Sequence, residues 1–160
     1  MRKLLVESPT TLVEWDVFMP RAKAKILCVD AHLQDLLQRK ALLEQNDYEV
    51  VGATGWEESL QLFLDHTIHA VILEYQLPGM GGDAVAAMMK RLKPHIPILL
   101  LAAFGPLPGK KLRAVDAFVC KSEGSRRLIS ALQALLEKRS KPFFQRWLEH
   151  WKSRNPAVQQ

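Results

Sequence analysis

Three charged side chains close three apolar runs in this sequence. Asp30 follows Ile26-Leu27-Cys28-Val29, Glu74 follows Ala70-Val71-Ile72-Leu73, and Lys121 follows Ala117-Phe118-Val119-Cys120. Two carboxylates and an ammonium, each placed where a strand hands over to a loop, are groups that hold ions or charged ligands, or that pair with one another. The stretch HAVILEYQLPGMGG, His69 to Gly82, is the sharpest case, with one carboxylate between a hydrophobic run and a turn carrying Pro78 and Gly79. A fourth run, Pro97 to Leu101, ends at Ala102 and offers no polar group. Elsewhere chemistry is sparse. His32, His66, His69, His95 and His150 lack metal-ligand spacing, and no glycine motif that cradles phosphates is present. Cys28 and Cys120 lie within apolar runs and read as core thiols, not as a disulfide or metal pair.

The elements that must position these groups alternate regularly. Strand runs are predicted at 26–29, 48–51, 70–73, 97–101 and 117–120. Helices are predicted between them, with Leu33, Leu36, Leu37 and Leu43 on the inner face of the first and Trp56, Leu60 and Phe63 on that of the second. A helix follows over 84–92, and the last places Leu128, Leu132 and Leu135 toward the core. Strands without polar alternation, separated by helices, indicate a parallel sheet covered on both faces, a doubly wound α/β domain over residues 23–138. In such sheets ligands sit beyond the carboxyl ends of the strands, where Asp30, Glu74, Ala102 and Lys121 fall. One connection breaks the rhythm. Phe104 to Lys111 holds two prolines and two glycines, so any helix there is short or absent.

At 160 residues the chain has room for one domain with extensions, 1–22 before it and 139–160 after it. No output domain fits in either. The longest apolar run, Ile96 to Phe104, is too short for a membrane span, and charges at Glu7, Glu14 and Asp16 interrupt any secretory core, which points to the cytoplasm. Six basic residues against Glu149 between 138 and 154 account for the whole net charge of +5, so the rest of the chain is neutral. Within that tail, Phe143, Phe144, Trp147, Leu148 and Trp151 fall at helical spacing on one side, a strongly amphipathic helix after the Ser140-Lys141-Pro142 break. It is a candidate interaction helix, for a partner or for its own domain.

The segments ILCVDA, VILEYQLPGMGG, IPILLLAA and DAFVCK, in that order, resemble the receiver domain of bacterial two-component response regulators over residues 23–138. The pattern E-x-x-x-P-x-x-x-G, Glu74 with Pro78 and Gly82, is the most specific part. The resemblance implies a flavodoxin-like, five-stranded sheet of order 2-1-3-4-5. It also implies an aspartate that accepts a phosphoryl group, an acidic pair for Mg²⁺, a hydroxyl and a lysine. Asp30 matches the first acid of the pair, Lys121 the lysine, and Phe118 the switch aromatic. Ala31 stands in place of the second acid, Glu74 in place of the phosphoacceptor aspartate, and Ala102 in place of the hydroxyl. Ser122 replaces the proline after the lysine, so the cis bond of the family is not expected there, a non-proline cis bond costing about 2.5–4 kcal/mol.

These departures predict weak or absent Mg²⁺ binding, because a carboxylate ligand is gone. They also predict a failed phosphotransfer, because the extra methylene of Glu74 shifts the attacking oxygen by about 1 Å, enough to cost roughly a hundredfold. The expected function is a phosphorylation-independent pseudo-receiver, a non-enzymatic protein-interaction module of a two-component or related pathway. Homodimerisation is one use, and the surface would comprise Phe104 to Arg113, the last core helix and the aromatic tail. Two alternatives stand beside it. One is a phosphorylatable single-domain regulator with weakly held Mg²⁺. The other is a basic tail that contacts nucleic acid or an anionic membrane, disfavoured because no DNA-binding fold is recognisable. Glu74 has two readings: a fixed negative charge paired to Lys121 that mimics phosphorylation, or a relic at the lip of a lost site. Ala102, with no hydroxyl to read the charge, favours the relic.

Overall fold

A computed structural model of the protein describes residues 22–140. In chain order the elements are β1 (Lys25–Val29), α1 (Leu33–Gln45), β2 (Glu49–Ala53), α2 (Trp56–Asp65), β3 (Ala70–Glu74), α3 (Gly82–Leu92), β4 (Ile98–Ala102), β5 (Ala117–Cys120) and α4 (Gly124–Ser140). Single 3₁₀ turns occupy Gly109–Leu112 and Lys121–Glu123. All strand pairs are parallel and the order is β2-β1-β3-β4-β5, the doubly wound arrangement expected from the sequence.

Successive residues of a strand point to opposite faces, so each apolar run fills two cores at once. Ile26, Cys28, Ile72, Leu99 and Leu101 face one way, onto Leu36 and Leu43 of α1 and Leu128, Leu132 and Leu135 of α4. Leu27, Val29, Val71, Leu73 and Leu100 face the other, onto Phe63 of α2 and Val85, Ala86 and Met89 of α3. That two-sided burial is why the strands lack polar alternation. Among the described residues, no helix is long and apolar enough to cross a membrane.

Two inward assignments are corrected. Leu33 and Leu37 of α1 are 58% and 55% exposed, and the buried stripe runs instead through Leu36, Arg39 and Leu43. That stripe has the i, i+3, i+7 spacing of one helix face, and an arginine occupies its middle position. In α2, Phe63 is fully buried, and Trp56 and Leu60, half-buried, pack against the same core as expected.

The β4–β5 connection has one 3₁₀ turn in place of a full helix. It is fastened at two points. Lys111 Nζ lies 2.9 Å from Asp83 Oδ2 at the start of α3, and Gly105 lies so close to the Phe118 ring and Cys120 Sγ that a Cβ there would stand 2.8 Å from each. Phe104 beside it is 80% exposed. The cis peptide among the described residues is Gly105–Pro106, so the bond after Lys121 is trans.

Candidate functional site

The strand register brings the charged residues together. Val29 pairs with Leu73, so Asp30 and Glu74 leave adjacent strands side by side, and Ala102 pairs with Cys120, next to Lys121. The Glu74 carboxylate is 3% exposed. Its Oε1 accepts the Gln76 N–H at 3.2 Å. Its Oε2 lies 2.5 Å from Lys121 Nζ. That ion pair is what balances this buried oxygen. Glu74 and Lys121 thus form an ion pair.

Asp30 is fully buried and engaged through both oxygens. Oδ1 accepts the His32 N–H at 2.9 Å, and Oδ2 lies 3.0 Å from Arg39 Nη2 and 3.4 Å from Lys121 Nζ. Burial pushes the Asp30 carboxyl up, but the His32 N–H and the charges of Arg39 and Lys121 outweigh it and hold it below the ordinary carboxylate range. Lys121 shows the converse. Burial works against its charge, and the adjacent Glu74 carboxylate, with Asp30, more than restores it, so the ammonium is held above the usual lysine range. A third carboxylate, Asp35 of α1, lies 3.4 Å from the same Nζ.

Arg39 is the residue that sequence reasoning missed. It is 8% exposed, with Nη2 on Asp30 and Nη1 3.7 Å from Cys28 Sγ. The signal was present as a basic residue three positions after Leu36 and four before Leu43, at core spacing. Burial pushes the Cys28 thiol up, consistent with an inert sulfur. Cys120 is only half-buried and borders a pocket of about 420 Å³ between α1 and α4, beside Arg39 and Lys121.

One histidine does lie near two carboxylates. The sequence showed no ligand spacing, yet the loop after β1 brings Asp30, His32 and Asp35 within 4.8 Å of one another. The donor set nevertheless does not fit a divalent cation. Asp30 Oδ2 already meets two fixed positive charges, Arg39 and Lys121, which would repel the ion. Ala31 brings no side-chain oxygen, its half-buried methyl packing toward the α2–α3 core. Ala102 is buried and likewise adds no polar group. Phe118 is half-buried against that same core. The tail stripe, Phe143, Phe144, Trp147, Leu148 and Trp151, lies outside the described residues.

A model of the response regulator receiver domain family matches residues 26–133. The chain belongs to that family. Among sequence relatives, the receiver is 31% identical over 125 residues to a probable transcriptional regulator, ycf27, of Cyanophora paradoxa, covering 75% of this chain and 51% of that one. The chain spans about half the length of such curated relatives. Among solved structures, a CheY-like receiver domain protein from Methanospirillum hungatei superposes with a TM-score of 0.70 at 24% identity, covering 74% of this chain and 97% of that one. The response regulator TrrA of Thermotoga maritima, solved with Mg²⁺ and beryllofluoride, gives 0.68 at 30% identity, covering 71% and 99%. TrrA in complex with the histidine kinase ThkA gives 0.67 at the same identity, covering 71% and 98%. The family match and the five-stranded sheet both lie within residues 22–140.

Proposed function

We propose that this receiver takes part in signalling without accepting a phosphoryl group, as a protein-interaction module whose site is filled by its own charges. The observation that carries this reading is the closed cluster in which Lys121 meets Glu74 at 2.5 Å while Arg39 and Lys121 together hold Asp30. Phosphoryl transfer depends on positioning and on cations free to neutralise developing charge. Here both cations are committed, the carboxylate at the end of β3 is a glutamate locked by an ion pair, and Ala102 supplies no hydroxyl. Magnesium binding is weak or absent for the same reason.

The buried pair also changes how Glu74 is read. A carboxylate that is 3% exposed and balanced by Lys121 supports a structural charge that holds one conformation without a kinase. The partner class assigned is a protein of a two-component pathway, by likeness to TrrA, which is held by a histidine kinase in its complex. The contact surface assigned is the strap from Phe104 to Arg113 with the adjoining face of α4.

The test is intact-mass measurement after incubation with a small phosphodonor and Mg²⁺, with Glu74→Asp alongside. No added phosphoryl group is expected on the natural chain. A mass increase on the natural chain that is lost in Glu74→Gln would replace this reading with that of a working phosphoacceptor.

A further inference from the structure

The two ends of the described chain meet at one pocket. Ala22 and Ser140 both line a hollow of about 470 Å³ at the amino-terminal edge of the sheet, opposite the charged cluster, together with Ala24, His69, Leu136, Arg139 and the exposed Glu137. Ala24 and Leu136 are half-buried against the α1–α4 core, so the hollow is an open continuation of that core. Its polar groups are largely spoken for. His69 Nδ1 accepts the Lys25 N–H at 2.9 Å, and Arg139 Nη1 donates to the His69 carbonyl at 2.7 Å. What the hollow still offers is apolar surface, with the exposed Glu137 at its edge.

The sequence that leaves each lip is apolar and aromatic. Phe143 and Phe144 follow Ser140 by three and four residues, and Phe18 and Met19 precede Ala22 by four and three. A chain advances at most about 3.6 Å per residue, so all four originate within roughly 14 Å of the hollow. The stretches that would meet are also opposite in charge, although Arg2, Lys3 and Arg21 make the extension as a whole neutral. Residues 4–20 carry Glu7, Glu14 and Asp16 with no basic residue, whereas residues 141–160 carry Lys141, Arg146, Lys152 and Arg154 against Glu149.

We propose that the aromatic stripe Phe143–Trp151 folds back onto this hollow and is clamped there by the N-terminal extension, with Glu14 and Asp16 facing Arg146 and Lys152. The occupant is the protein's own tail and not a second copy. A tether of a few residues presents the stripe at millimolar effective concentration, which an intermolecular contact of the same surface has to exceed. The fold-back also answers two of the tail's positive charges within the chain.

Hydrogen exchange and sedimentation on the full chain test this. Two variants are compared with the natural protein, Phe143→Ser/Phe144→Ser/Trp147→Ser and the charge reversal Glu14→Lys/Asp16→Lys. The natural chain is expected to sediment as a monomer at every concentration. Both variants are expected to speed exchange at residues 23–25 and 136–140 by about tenfold or more while sparing the central strands. Adding Arg146→Glu/Lys152→Glu to the charge reversal is expected to restore protection. Unchanged exchange at both lips in either variant overturns the proposal, as does a dimer that the aromatic variant dissociates.

Discussion

At the scale of single residues, Arg39 carries consequences that Lys121 and Glu74 do not carry alone. It is a guanidinium inside an apolar helix face, facing a fully buried carboxylate. Removing one member of such a pair leaves an uncompensated buried charge, at a cost of about 3–5 kcal/mol, whereas replacing both is often close to neutral. Arg39→Met is therefore expected to lower the urea midpoint strongly. The double variant Asp30→Asn/Arg39→Met keeps the acceptor for the His32 N–H and is expected to recover most of the loss, and additive losses would show that the two do not act as a pair. The titration directions give a second expectation. Asp30 is depressed when folded, so its contribution is present above its unfolded pKa of about 3.9 and is lost as pH falls through the lower folded value. Lys121 is raised, so its contribution is present below about 10.4 and is lost as pH rises through the higher folded value. Urea midpoints measured against pH are expected to form a plateau between those limits, and Asp30→Asn is expected to flatten the acid side.

At the scale of elements, the hand-over from β3 to α3 explains the most specific part of the sequence pattern. The Gly82 N–H donates to the Tyr75 carbonyl at 2.8 Å, and a Cβ at Gly82 would collide with the Glu74 carbonyl and stand 2.9 Å from Tyr75 Cα. Gly82 is thus required for space, so that the helix can start against the strand end that carries Glu74. Gly82→Ala is expected to cost about 3 kcal/mol, the upper end for overpacking, measured by urea unfolding. This contact also marks what was legible. The strands were readable because both of their faces are buried, and the 3₁₀ strap was readable from Pro106, Pro108, Gly105 and Gly109. The exposure of Leu33 and Leu37 was not readable, since a helix of mixed leucines and charges has several faces that satisfy an apolar count. Only contact with the sheet selects the one containing Arg39. The Asp30–His32–Asp35 cluster was hidden for a related reason, because the turn after β1 sets those distances and no spacing rule does.

At the scale of the whole molecule, charge is divided between two ends of one sheet. At the carboxyl end, Asp30, Glu74 and Asp35 enclose Lys121 with Arg39 beneath, so family membership is preserved in the fold while the site is closed by internal ion pairs. At the amino end, both lips of the domain converge on one hollow. The site residues were legible as strand-end positions, but their mutual pairing depended on the parallel register and on Lys121 reaching past β4 to Glu74. The most direct measurement is a two-dimensional amide spectrum of the full chain before and after addition of Mg²⁺ and beryllofluoride, which mimics a bound phosphoryl group. With the site closed by its own charges, the amides of Asp30, Glu74, Ala102 and Lys121 are expected to stay in place at millimolar reagent. Concerted shifts of those amides together with Phe104–Arg113 would mean that the ion pairs open to admit the phosphoryl mimic, and a phosphorylation-independent receiver would be contradicted.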